Sequence, residues 1–102
     1  MADIYIPFTP QMREAAISGI KTATTRTRRY GYRGDEFYLD RQEFIIIDVL
    51  RIPLGEVAQD FYRWEGFDDQ VGFIAYWSTL HPRKGYDSDQ MVFLHLFRKE
   101  IG

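Results

Sequence analysis

Between positions 21 and 33 the chain reads KTATTRTRRYGYR, which holds Lys21, Arg26, Arg28, Arg29 and Arg33 and no acid. Five positive charges this close together attract phosphate. Tyr30 and Tyr32 lie inside the run, and stacking an unpaired base on such a ring is worth about 1 to 3 kcal/mol. Arg26, Arg28, Arg29, Tyr30, Tyr32 and Arg33 are therefore the expected nucleic-acid contacts. A plainer reading competes with this one: a solvated strand and turn, its arginines paired with acids elsewhere and its tyrosines merely packed beside glycine. The chain as a whole carries a formal charge of −2, so the rest of it sums to −7. With a pI near 5.6, it is not a general nucleic-acid coat.

Other chemistries are excluded by composition. No cysteine is present, which removes zinc ribbons, iron–sulfur clusters and thiol nucleophiles. His81 and His95 are too few for a histidine-based metal site; His95, alone on an apolar run, reads as a buried hydrogen-bonded side chain, and His81, before Pro82, as a loop residue. No metal and no cofactor are expected. A length of 102 residues with 45% hydrophobic content suits one domain, residues 1–102, with a core that folds without a disulfide. The opening MADIYIPFTP carries Asp3 and Pro7 where a signal peptide needs an apolar run, and no apolar stretch approaches the ~18 residues of a membrane span. A cytoplasmic monomer with no membrane partner is expected.

The elements that must position the basic run follow from periodicity. IYIPF, residues 4–8, reads as a first strand, and Thr9 then Pro10 as the N-cap and first position of a helix to about Ser18. Met12, Ala15, Ala16 and Gly19 give that helix a small inner stripe, and Gly19 stops it. TATTRTRR reads as a basic strand, the tract from Tyr30 to Gly34 as a turn, and EFYLD, residues 36–40, as a further strand. FIIIDVL, residues 44–50, is the most strand-like run, and Pro53 marks its departure from the ladder. Leu54, Val57, Ala58, Phe61 and Tyr62 recur at helical spacing, with Trp64, Glu65 and Gly66 ending that helix. Asp68 is the expected cap of the next, which carries Val71, Ile74, Ala75, Trp77, Ser78 and Leu80. Trp77 belongs to the core by its spacing, although it can also line a cleft. MVFLHLFR is apolar on both faces and so reads as a central strand. The fold class is α+β: a partly closed mixed β-barrel flanked by about three short helices.

GIKTATTR after the first helix, Gly34 and Asp35 before a strand, and Glu65 to Phe67 ahead of a helix with Trp77 together resemble the ASCH domain, a PUA-like barrel family, over essentially the whole chain. The resemblance implies a barrel with a cleft along its helices, positive on one wall, and an association with RNA or modified nucleosides. The first motif is also similar to GxKTxTxR of small bacterial amidohydrolases that deacetylate 4-acetylcytidine, here Gly19, Lys21, Thr22, Thr24 and Arg26. That likeness implies Lys21 as proton acceptor, Thr24 as nucleophile and Glu65 as proton donor. A threonine hydroxyl needs a base to take its proton, and lysine serves only when burial or neighbouring positive charge, such as that of Arg26, lowers its pKa.

In a regular strand Lys21 and Thr24 point to opposite faces, so a turn at Lys21 is required, or else Thr22 or Thr25 is the functional hydroxyl. EGF is the general ASCH pattern and not the hydrolases' own sequence around their acid. Two functions follow. The first is an RNA- or modified-nucleoside-binding protein whose cleft, between Lys21, Thr24, Arg26 and Glu65, receives a base. The second is an amidohydrolase acting on 4-acetylcytidine or a related amide. A ribonuclease ranks below both, since neither a metal site nor a histidine pair supports it.

Overall fold

The apolar run MVFLHLFR forms the strand that every other part of the structure is built around. The computed structural model describes residues 2–101. Its elements are α1 (Pro10–Ile17), β1 (Ala23–Arg26), β2 (Glu36–Leu39), β3 (Gln42–Pro53), α2 (Leu54–Asp60), α3 (Gln70–Leu80) and β4 (Met91–Lys99). The strands form one sheet in the order β1-β4-β3-β2, every pair antiparallel. The register of β3 on β4 passes from Ile46↔Phe97 to Asp48↔Leu96, and the extra residue, Ile47, bends the long β3 and helps the sheet curl into a half-barrel. A single parallel bridge, Asp3↔Glu36, extends it beyond β2.

From Val92 to Phe97, β4 carries buried side chains on both faces, as its sequence predicts, while Met91 is exposed and Phe93 half-buried. On one face Val92, Leu94 and Ala23 pack against Leu54, Val57 and Ala58 of α2 and Phe73 and Trp77 of α3. On the other, Phe97, Ile46, Phe44, Phe37 and Leu39 enclose Ile6, from the segment before α1, and Ala16 of α1. Phe37, Phe44 and Phe97 meet with ring centroids 5.4 to 5.7 Å apart, contacts worth about 0.5 to 1.5 kcal/mol each beyond the burial itself.

Several boundaries differ from the sequence reading, each for a local reason. IYIPF is not a strand: after the Asp3 bridge only the Ile4 N–H reaches the Glu36 carbonyl (2.8 Å), and the chain turns away to pack Ile6 into the core. β1 stops at Arg26, so Arg28 and Arg29 lie in a bend beyond the ladder. This bend is drawn inward at Gly31, where any Cβ would collide with the side chains of Ile4 and Ile46. α2 ends at Asp60, and residues 61–66 are turns that only carry the apolar spacing onward. The cap of α3 is Asp69, whose carboxylate accepts the Gly72 N–H at 2.8 Å, not Asp68. Val71 is 74% exposed, and Phe73 with Trp77 makes the buried stripe. α1 conforms: the Thr9 hydroxyl accepts the Met12 N–H and Ser18 is the C-cap.

Candidate functional site

Because β1 is an edge strand, side chains from both of its faces can reach the space beside it. A cleft of about 400 Å³ lies there. Pro7, Phe8, Thr9 and Met12 line it from the N-terminal side, and Phe73, Tyr76, Trp77, Leu80 and His81 from α3 and its C-cap. Lys21, Thr24, Thr25, Arg26 and Glu65 supply its polar groups, and Thr27 and Tyr30 complete the lining.

Lys21 and Glu65, 44 residues apart in sequence, are brought together by backbone hydrogen bonds. Gly19, at φ +88°, turns the chain out of α1, and the Lys21 N–H donates to the Ala15 carbonyl at 3.0 Å. The Trp64 carbonyl accepts from the N–H groups of Thr22 (2.8 Å) and Ala23 (3.0 Å), fastening the 61–66 turns to the start of β1. Gly66 then reverses the chain at φ +98°, a left-handed conformation that favours glycine, and lies against Lys21. Phe67 packs on Phe73 and Tyr76, with centroids at 5.9 and 5.5 Å, holding the turn to α3.

The result is a buried polar cluster. Lys21 Nζ donates to Glu65 Oε1 (2.9 Å) and to the Glu65 carbonyl (3.0 Å), while Thr25 Oγ1 donates to Glu65 Oε2 (2.5 Å). Lys21 and Glu65 are each 3% exposed. Burial pushes the Lys21 amine below its ordinary value, Glu65 pulls it back up, and the nearby Arg26 charge adds to the lowering. A buried ion pair is a poor stabilising device, because desolvation offsets most of the attraction. Inside a cleft, such a pair marks a candidate site.

Spacing decides which hydroxyl joins the pair. Lys21 and Thr25 share a side of the chain, and Thr25 is the partner of Glu65. Thr24 faces the other way: its Oγ1 accepts from Arg26 Nε (3.2 Å) and Nη2 (3.0 Å). Arg26 Nη1 donates to the Pro7 carbonyl at 2.7 Å, and its guanidinium lies over the rings of Phe8 (5.2 Å) and Tyr30 (5.6 Å). Thr22 is exposed and lies outside the cleft lining.

The basic run is split by the fold. Arg28 lies over Tyr30 at 3.9 Å and Arg29 over Tyr32 at 4.6 Å, outside the cleft. Arg33 is elsewhere, in a shallow recess with Arg98 and Ile45 to Ile47. Among the described residues, no carboxylate comes within 4.0 Å of Arg26, Arg28, Arg29 or Arg33. The pairing with surplus acids that a solvated strand would use is therefore absent.

His95 is fully buried. Its Nε2 accepts the Tyr30 N–H at 3.0 Å, which places the proton on Nδ1, 3.3 Å from the Thr24 carbonyl. Burial, aided by the charges of Arg26 and Arg29, lowers its pKa to about 4, against the raising effect of its backbone bonds. It is a structural histidine that ties the basic bend to β1. His81, a loop residue as read from sequence, is the C-cap of α3, where it stacks on Trp77 with centroids 4.2 Å apart and lines the cleft. Tyr76 was also missed as a cleft residue; its hydroxyl and that of Thr9 are hydrogen-bonded at 2.8 Å between α3 and the start of α1. Neither residue carries a local signal, since both reach the cleft by tertiary approach.

A curled antiparallel half-barrel with an edge cleft holding a buried lysine–glutamate pair is a specific architecture. No family model matches the sequence, and no curated protein matches it. Solved structures do: an ASCH domain from Lactobacillus crispatus superposes with a TM-score of 0.68 at 15% identity, covering 96% of this chain and 78% of that one. A DUF984 protein from Enterococcus faecalis gives 0.63 at 16% over the same shares, and a point variant of an ASCH protein from Zymomonas mobilis 0.65 at 15%, covering 94% of this chain and 68% of that one. The chain has an ASCH-like fold.

Proposed function

We propose that the cleft binds a nucleobase, presented by single-stranded RNA or by a modified nucleoside. The observation that carries this reading is the buried Lys21–Glu65–Thr25 cluster in a cleft flanked by Phe8, Tyr30, Tyr76 and Trp77. A base needs both parts: aromatic faces to stack on, and donors and acceptors to meet its edge. A cleft of about 400 Å³ suits a nucleoside. Arg28 and Arg29, free of carboxylates and stacked on tyrosines, would hold the phosphate that follows the base. Calorimetric titration with cytidine, 4-acetylcytidine and a short oligoribonucleotide tests the proposal. Binding by the parent and its loss in a folded Lys21→Ala variant are expected; no heat from any of the three at high protein concentration contradicts it.

One observation favours a second reading, amide hydrolysis. Lys21 Nζ, its pKa lowered by burial, lies 2.9 Å from Glu65 Oε1, so groups of the two kinds that deacetylation requires, a base and an acid, stand side by side in the cleft. Thr24 Oγ1, receiving two Arg26 donors and lining the same cleft as Lys21 without being bonded to it, would attack the acetyl carbonyl while its proton passes through one water to Lys21. Glu65 would protonate the departing cytidine nitrogen, and water would then cleave the threonine ester to release acetate. Release of cytidine from 4-acetylcytidine by the parent, abolished in Thr24→Ala, supports this chemistry. Retention in Thr24→Ala with loss in Thr25→Ala would transfer the nucleophile's role to the hydroxyl bonded to Glu65.

A further inference from the structure

The register of the sheet places a second guanidinium–aromatic group beside the cleft. Arg26 of β1 is opposite Phe93 of β4, which is opposite Arg51 of β3. Cross-strand partners share a face, so the three form one row, with Arg51 about 10 Å from Arg26 across two strand spacings. The row lies on the face away from α2 and α3, whose packing uses the alternate residues Val92 and Leu94. The guanidinium of Arg29, arriving from the bend, lies 5.5 Å from the Phe93 ring centre, and that of Arg51 lies 5.2 Å from it. Two cations therefore share one phenyl ring. Among the described residues neither has a carboxylate within 4.0 Å, in a chain that is acidic overall. Two positive charges gathered around one ring with no acid beside them attract an anion. Guanidinium groups stacked by their faces keep in-plane N–H groups for phosphate oxygens.

We propose that Arg29, Phe93 and Arg51 form a second nucleotide subsite, which carries a single-stranded RNA across the end of the sheet once its base has entered the cleft. This deepens the nucleobase reading and rests on it. The phosphate after the bound base meets Arg28 and Arg29 and the next meets Arg29 and Arg51, while the half-buried Phe93 ring holds these last two guanidinium groups in place. Arg51 was no part of the basic run, being 18 residues beyond Arg33, and only the β3–β4 register brings it there.

Affinities for cytidine 5′-monophosphate and for a hexaribonucleotide, measured at low and moderate salt in the parent, Arg51→Ala and Phe93→Leu, test the proposal. The parent is expected to bind the hexamer about tenfold more tightly than the monophosphate. Arg51→Ala is expected to remove about five- to tenfold of the hexamer affinity and about 1 unit of its salt slope, leaving the monophosphate unchanged; Phe93→Leu should weaken the hexamer alone. Equal affinity for the two ligands in the parent, or a hexamer titration indifferent to Arg51→Ala, overturns the subsite. Binding of the hexamer with full dependence on Arg51, but none of the monophosphate, upholds the subsite and overturns the cleft reading instead.

Discussion

Lys21 and Glu65 would each be costly to bury alone, and the structure buries them together with only Thr25 and one carbonyl as further partners. Removing one member should therefore hurt more than removing both. Lys21→Met leaves a buried carboxylate without its cation and is expected to lose about 3 to 5 kcal/mol in urea unfolding, while the double change Lys21→Met with Glu65→Leu recovers most of it. His95 makes a separate prediction. Its pKa is about 4 in the folded protein and ordinary, about 6.5, in the unfolded chain. Between these values the unfolded state binds a proton that the native state refuses. Stability is therefore complete above pH 6.5 and falls toward pH 4, by up to about 3 kcal/mol. Urea midpoints measured across that range should decline in the parent and show a smaller decline in His95→Gln. The sequence marked Lys21, Thr24 and Glu65, and its parity argument already raised Thr25 as an alternative. It could not choose between the hydroxyls, because the choice depends on where β1 begins.

At the scale of elements, the 61–66 turns set the site's geometry, and they were the least readable part. Phe61 and Tyr62 continue the helical spacing of Leu54, Val57 and Ala58, so periodicity runs past the true end of α2 at Asp60. Beyond Asp60 tertiary bonds hold the chain: the Trp64 carbonyl accepts from the N–H groups of Thr22 and Ala23. Gly66→Ala, forced into a left-handed backbone, is expected to cost about 1 to 3 kcal/mol. It should also weaken ligand binding, because it shifts Glu65. A thermal melt and a nucleoside titration on the same sample check both effects. The start of α1 was legible because Thr9 and Pro10 are local signals, and β4 because both its faces are apolar. IYIPF misled because a strand exists only where a partner accepts its ladder, and β2 accepts one bridge.

For the molecule as a whole, charge distribution says more than net charge. Among the described residues, arginines without a carboxylate partner gather beside one cleft in a chain of −2, so the proposed RNA binding should weaken steeply with salt. The double change Arg28→Ala and Arg29→Ala is expected to reduce the slope of log affinity against log salt by about 1 to 2 units. The half-barrel architecture was foreseeable from periodicity and resemblance together, whereas the cleft was only partly so: Lys21 to Arg26 are contiguous, but Phe8, Tyr76 and His81 converge on them from distant positions. The most direct test of the central claim is an NMR titration of the labelled protein with cytidine and 4-acetylcytidine. Saturable shifts confined to the resonances of the cleft residues, among them Phe8, Lys21, Thr24, Thr25, Tyr30, Glu65, Tyr76 and the Trp77 indole, are predicted. An unperturbed spectrum at millimolar nucleoside, or shifts that gather elsewhere on the surface, would contradict the account.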